Sequence, residues 1–271
     1  MASGIVDALR AALPDAQFSS ATALVADVRA VKSPAEIAFL REAVRVAEAA
    51  AATMVATARP GVAEREVFGA MLRTIVVEGG EIMAMLHWGA GPAPPWPHRL
   101  VTNRMLAAGD VINNEIEAKW SGYVGQVVQP MVLGEPAPAL QAMYAASRAI
   151  FEALCAAMRP GLPFTEIVAL YQRLVAEAGY RPGAALLHGR GLGEDRPLLM
   201  GHGTADPALT LAAGNVFILK PACFPPEGDP VQSASGQVIE LAVRAGDTVV
   251  VTPTGAQRLG QRPLAIAVPP S

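Results

Sequence analysis

Leu106-Ala107-Ala108-Gly109-Asp110-Val111-Ile112, in the first half of the chain, returns in the second as Leu211-Ala212-Ala213-Gly214-Asn215-Val216-Phe217. Each copy reads as a glycine turn feeding a strand of β-branched and aromatic residues. Arg59-Pro60-Gly61 recurs in the same way as Arg159-Pro160-Gly161, each time between two stretches of helical periodicity. Upstream of the first copy, Ser33 can cap a helix with Pro34 at its first position and Glu36 at its third. Its apolar face is Ile37, Leu40, Ala43, Val44 and Ala47. A second helix is expected at about 63–78. Helices at about 138–158 and 164–178 belong to the second copy, the latter capped by Thr165 or the residues just before it. Strands are expected at 121–133, 185–192, 237–244 and 247–252, the last ending at the turn Pro253-Thr254-Gly255. The chain is therefore two αα-then-β halves sharing one core. This is an α+β fold with a curved, mostly antiparallel sheet flanked by helices.

The echo also pairs side chains. Glu115 and Lys220 each lie nine residues after the leucine that opens its block. If the halves face each other about a pseudo-twofold axis, both point toward one central cleft.

Composition narrows the function. With 271 residues, 52% hydrophobic and 17% charged, the chain has ample material for a core, which excludes general disorder. No apolar run approaches the ~18 residues a membrane helix needs, so a membrane role is excluded. The head, 1–14, carries Asp7 and Arg10 where an export signal has its apolar centre, and a cytoplasmic location is expected. A net charge of −3 without a basic run excludes nucleic-acid binding. Cys155 and Cys223 lie in no CxxC pair and read as free thiols. A small amide or peptide-like ligand remains as the expected partner, with a homodimer as the candidate assembly.

Several short motifs now fall into an order. Lys32-Ser33-Pro34-Ala35-Glu36-Ile37, Pro97-His98, Asn103-Arg104, Gly109-Asp110, Gly122-Tyr123, His188-Gly189-Arg190-Gly191 and Val250-Val251-Thr252 resemble, in order and spacing, the creatinase/prolidase/methionine-aminopeptidase group. The likeness covers about 30–260 and implies the pita-bread fold, a pseudo-symmetric pair of αα-ββ halves. It divides the chain into a short N-terminal segment (1–31) resembling the end of the family's N-terminal domain, the pita-bread domain (32–262) and a C-terminal tail (263–271).

Peptidases of that group hold two divalent metals on five ligands. Carried over by resemblance, those positions are Glu115, Gln126, His188, Lys220 and Gly246. A glutamine, an ammonium and a glycine do not replace three carboxylates, so neither a metal nor another cofactor is expected. Lys220 instead places a fixed cation where the ions would sit, opposite Glu115.

Loss of metal need not end the chemistry, because creatinase shares the fold and opens a carbon–nitrogen bond without metal. The segment Pro97-His98-Arg99-Leu100-Val101-Thr102-Asn103-Arg104 looks like the creatinase version of its loop, which implies that His98 is the acid/base. Creatinase's substrate glutamates are absent, with Val128 and Lys220 in their places. The expected function is thus metal-independent hydrolysis of an amide- or amidine-type bond. His98, His188, Glu115 and Lys220 would be catalytic, and Gln126, Asn103, Arg104, Arg196 and Trp96 would bind substrate. Two other readings stay open: a catalytically silent pita-bread module that binds a peptide or protein, and a metallo-aminopeptidase or prolidase with a degenerate site. Each residue also has a plainer account. His98 can cap a turn, His188 can be a buried histidine satisfied by backbone, and Glu115–Lys220 can be an architectural ion pair. Asp195-Arg196 reads as a solvated loop pair, and Gly189 to Gly193 as a strand edge where backbones approach closely.

Overall fold

A computed structural model of the chain describes residues 3–81, 87–92, 101–226, 231–232, 238–239 and 243–270. The first half runs through helices α1 (Ser3–Ala12), α2 (Thr22–Ala30), α3 (Pro34–Thr57) and α4 (Glu64–Val77). Strands β1 (His87–Gly91), β2 (Val111–Trp120), β3 (Tyr123–Val128) and β4 (Met131–Val132) follow. The second half supplies α5 (Pro138–Ala157), α6 (Phe164–Glu177), β5 (Arg181–Pro182), β6 (Ala185–Gly191), β7 (Gly193–Met200), β8 (Val216–Leu219) and β9 (Ala222–Phe224). Short strands β10 (Val231–Gln232), β11 (Val238–Ile239) and β12 (Val243–Arg244) precede β13 (Gly246–Thr252) and β14 (Gly255–Arg258).

The main sheet has the order β1-β2-β3-β13-β8-β6-β7, with β4 on β2 and β14 on β13. Its neighbouring strands along that path pair antiparallel. The two halves meet where β13 lies between β3 and β8.

The repeat is physical as well as textual. Gly61 N donates to Leu106 O and Gly161 N to Leu211 O, both at 2.8 Å. Leu106 N and Leu211 N return bonds to Val62 O and Leu162 O, both at 2.9 Å. Each Arg-Pro-Gly turn is thus clamped to the leucine that opens its own glycine-turn block. Gly61 and Gly161 sit at φ +86° and +85°, a conformation open to glycine and costly to other residues.

Local chemistry sets the helix boundaries. Ser33 and Glu36 form the reciprocal capping box, with Pro34 in the first turn. At the N-terminus of α6 the cap residue is Pro163, among the residues just before Thr165, and no side chain bonds there. Phe164 N instead donates to Leu209 O beside the isolated bridge Pro163↔Thr210, so a neighbouring loop backbone satisfies that donor.

Both helix pairs cover the same face of the sheet. Leu40, Val44, Ala47 and Met54 of α3 pack with Ile112, Ile116 and Val127, while Phe151 and Leu154 of α5 pack with Phe217, Val249 and Val251. Alanines on α3 permit a close approach, and Gly125 of β3 completes it. A Cβ on Gly125 would lie 2.5 Å from Val44 N and 2.7 Å from Ala43 C. The tail does not hang free over 263–270. Ala267 bridges Met131, with Val132 N donating to Ala267 O at 2.9 Å. Among the described residues no helix is long and apolar enough to cross a membrane.

These two glycines are needed for different reasons, and substitution separates them. A Cβ on Gly161 meets nothing within 4 Å, so Gly161→Ala carries only the left-handed backbone cost of about 1–2 kcal/mol. Gly125→Ala must push helix backbone away from the sheet, and a loss of about 3 kcal/mol is expected. Urea unfolding of the two variants should preserve that order, and the reverse order would refute the close approach of α3.

Candidate functional site

Strand register decides which side chains share the face turned away from the helices. Glu117 pairs with Gln126, and Val128 with Gly246, and paired residues of antiparallel strands point the same way. Asp247 pairs with Leu219, and Leu219 with Leu187, on the opposite face. Alternation then places Glu115, Glu117, Gln126, Val128, Gly246, Lys220, His188 and Arg190 together. All five positions singled out by resemblance therefore lie on one face.

A buried network joins them. Lys220 Nζ donates to Glu115 Oε2 at 2.7 Å, and Gln126 Nε2 donates to the same oxygen at 2.7 Å. Arg244 Nη1 donates to Glu115 Oε1 at 3.0 Å. The carbonyl end of Gln126 accepts from Arg190 Nη2, which also donates to Glu117. Gln126 is thereby oriented, amide N–H toward a carboxylate and carbonyl toward a guanidinium, the arrangement that satisfies both ends. Thr248 fixes its backbone, donating from Oγ1 to Gln126 O at 2.8 Å and accepting from Gln126 N at 3.0 Å.

Burial shapes the titration of this cluster. It pushes the Lys220 ammonium below the usual lysine range, and Glu115 pulls it back. It raises the Glu117 carboxyl, opposed by Arg190. Arg244 is likewise lowered by burial and supported by Glu115. His188 is lowered to about 3, by burial first and then by Arg190 and Lys220, so its ring is neutral at physiological pH. Its Nδ1 lies 3.4 Å from Gly189 O, and Nε2 lies 3.9 Å from Glu194 Oε1.

A divalent metal pair does not fit this donor set. Two of the five positions carry an ammonium and an amide already bound to Glu115. A third, Gly246, has no space for a ligand, since a Cβ there would meet Val128 Cγ2 at 2.6 Å and Lys220 Cβ at 3.1 Å. Among the described residues no group of three or more His, Cys, Asp or Glu side chains is arranged to hold a metal.

Other expected site residues fall elsewhere. His98 and Trp96 lie outside the described residues. Asn103 is exposed. Arg104 is a structural clamp where a substrate contact was expected: Nη1 and Nη2 donate to Asp110 at 2.6 and 2.9 Å, bracing the glycine turn. Arg196 is exposed and lines a cavity of about 430 Å³ with Arg29, Glu194 and residues of α2, away from the Glu115 network. Asp195 is corrected outright, from solvated loop to buried strand residue. Lys32 Nζ reaches it at 2.8 Å and Arg29 Nη2 at 2.6 Å, tying the N-terminal segment to β7. Sequence reading missed Glu117, Arg190 and Arg244. A signal for the first was present, since Glu117 is two residues from Glu115 on a strand. Arg190 lay in the stretch Gly189 to Gly193, whose reading as a strand edge concerned the backbone and gave the side chain no role.

A helix-backed antiparallel sheet built twice, with a polar cluster on its open face, defines the pita-bread class. The sequence profile of metallopeptidase family M24 matches residues 38–253, and the chain belongs to that family. It is 24% identical over 267 residues to the uncharacterized peptidase YqhT of Bacillus subtilis, covering 97% of this chain and 71% of that one. With the probable dipeptidase PepE of Mycobacterium tuberculosis it shares 28% over 258 residues, 92% of this chain and 64% of the relative. The X-Pro aminopeptidase of Thermotoga maritima superposes with a TM-score of 0.85 at 21% identity, covering 99% of this chain and 72% of that structure.

Two outcomes test the network. Lys220→Ala removes one partner of a buried carboxylate, and a loss of roughly 3–5 kcal/mol is expected in chemical denaturation; an unchanged midpoint would show that the pair does not exist. His188 binds its proton more weakly folded than unfolded. Its contribution is therefore present above pH ~6.5 and lost as pH falls toward 3, at up to ~1.4 kcal/mol per unit. His188→Gln should flatten the pH dependence of stability in that window, and an unaltered slope would count against a buried neutral ring.

Proposed function

We propose that this chain is a hydrolase of the M24 fold that works without metal, opening an amide- or amidine-type carbon–nitrogen bond in a small polar substrate. The observation that carries the reading is the 2.7 Å contact of Lys220 Nζ with Glu115 Oε2, a fixed cation on the face where the family's metals bind. The names of the relatives, a probable dipeptidase and an uncharacterized peptidase, support hydrolysis of a peptide-like bond. In this mechanism His98 takes a proton from the attacking water and returns it to the leaving nitrogen. Lys220 and Gln126 stabilise the oxyanion of the tetrahedral intermediate. Glu115 holds both in position, and neutral His188 supplies a hydrogen bond rather than a proton. Trp96 and Asn103 remain candidates for the substrate wall, and a cytoplasmic homodimer is the setting this reading expects.

One observation favours a second reading. Both oxygens of Glu115 are already engaged, Oε2 by Lys220 and Gln126 and Oε1 by Arg244. Such a carboxylate is poorly placed to activate water, as a ligand-binding module without turnover would have it.

The test is turnover of N-acyl amino acids, small amides and dipeptides by the purified chain, with and without chelator. Chelator should change nothing, and His98→Ala should lower the rate by about 10²–10⁴-fold with the fold retained. Activity that disappears with chelator and returns with Mn²⁺ would overturn the proposal. Binding of the panel with no turnover would favour the second reading.

A further inference from the structure

Another cavity, of about 410 Å³, lies on the helix side of the sheet between α5 and the C-terminal tail. Gln141, Tyr144 and Arg148 line it from α5, Leu264 and Ile266 from the tail, and Pro136 from the loop that leads into the helix. Spacings of three and four put the α5 residues on one stripe of that helix. Both walls are braced. Gln129 Nε2 donates to Ala265 O at 2.9 Å and Ala267 N to Pro130 O at 2.9 Å, which fixes the tail. Gln141 Nε2 donates to Pro136 O at 2.7 Å, which ties the loop to the helix. A preformed, mostly apolar space of this size is what a small-molecule site requires.

Tyr144 gives the cavity an unsatisfied polar group. The residue is 6% exposed, and its ring belongs to the core. Its hydroxyl makes no hydrogen bond among the described residues and is not one of the sealed polar atoms there, so it opens on the cavity that the residue lines. A hydroxyl so far from bulk water and without a partner is unfavourable until an acceptor reaches it. Burial pushes the phenol up to about 12, which keeps the proton in place for donation. The charges acting on it are mainly cationic, Arg262, Arg148 and Arg258 against Asp247. Asp247 holds Arg258 at 2.8 Å and Arg262 at 2.9 Å. Arg148, half-exposed one turn on from Tyr144, pairs among the described residues with Glu152 alone, at 3.8 Å, beyond hydrogen-bond distance.

We propose that this cavity binds a small monocarboxylate with an apolar body. The carboxylate is taken by Tyr144 Oη and the Arg148 guanidinium, and the body lies against Leu264, Ile266 and Pro136. One hydroxyl and one guanidinium match the two oxygens of a carboxylate, and the apolar walls bury the rest of the molecule. The cavity is on the far side of the sheet from Glu115, so the site is independent of any hydrolysis on the open face.

Calorimetric titration of the intact chain with octanoate, octanamide and acetate tests it. Octanoate should bind one to one, about tenfold or more tighter than the uncharged octanamide. Acetate, which lacks the chain, should be weaker than octanoate by about as much or more. Tyr144→Phe removes a hydroxyl that bonds nothing in the free chain. It should leave the urea midpoint no lower while weakening octanoate by about threefold or more. Arg148→Gln, at a half-exposed position, should weaken octanoate with the midpoint unmoved. Equal binding of acid and amide, octanoate affinity unchanged in either variant, or no saturable octanoate binding would overturn the site. A lowered midpoint in Tyr144→Phe would show that the fold itself uses the hydroxyl and would overturn it as well.

Discussion

The carboxylate of Glu115 is the constraint around which the open face is organised. It is 5% exposed as a side chain, and an ion so removed from water needs positive charge and hydrogen bonds within a few ångströms. Here Lys220, Arg244 and the amide of Gln126 supply them. Lys220 follows β8 and Arg244 closes β12, whereas Glu115 and Gln126 belong to the first half. The interaction that neutralises one residue therefore also locks the two halves together across β13.

The replacement is coordinated rather than piecemeal. A lysine at 220 beside a carboxylate at 246 would have preserved one metal position in part, but Gly246 offers no side chain and Val128 fills the space a Cβ would need. Gln126 in turn needs both a carboxylate and a guanidinium, and Arg190 provides the second. Restoring any single family ligand would leave a like-charge contact or a steric clash. The altered positions behave as one set because each satisfies a polar group that another exposes.

Much of this was legible in the chain itself. The repeated Leu-Ala-Ala-Gly block and the repeated Arg-Pro-Gly turn located both helix pairs to within a residue or two, because glycine at positive φ and the capping box are local requirements. Counting from Leu106 and Leu211 was enough to pair Glu115 with Lys220, since the repeat transmits register. What escaped were contacts that depend on distant segments. Asp195 looked solvated because Glu194 and Arg196 flank it, yet Arg29 of the N-terminal segment and Lys32 just after it reach across and pair with it. Arg104 was a local miss: the resemblance placed it at the end of the creatinase-like segment as a ligand contact, whereas Asp110, only six residues on, takes its guanidinium. Strand β7 was hidden by a run of glycines whose function is to let β6 and Asp195 approach, with a Cβ on Gly191 falling 2.3 Å from Asp195 Oδ2.

On the proposed metal-free reading, fixed cations change what the face can do chemically. A divalent ion both withdraws charge from a carbonyl and acidifies a bound water, so one group supplies electrophile and nucleophile. Lysine and glutamine keep the first ability as preorganised donors but cannot make hydroxide from water at neutral pH. The proton must then go to a base, and His188, held near a pKa of 3 by burial and by Arg190 and Lys220, is too weak to accept it efficiently. Burial and the neighbouring cations Arg190 and Lys220 therefore disqualify His188 as a base. Any hydrolysis on this face requires a base other than His188, and His87 of β1, paired directly opposite Glu115, shares the face with it.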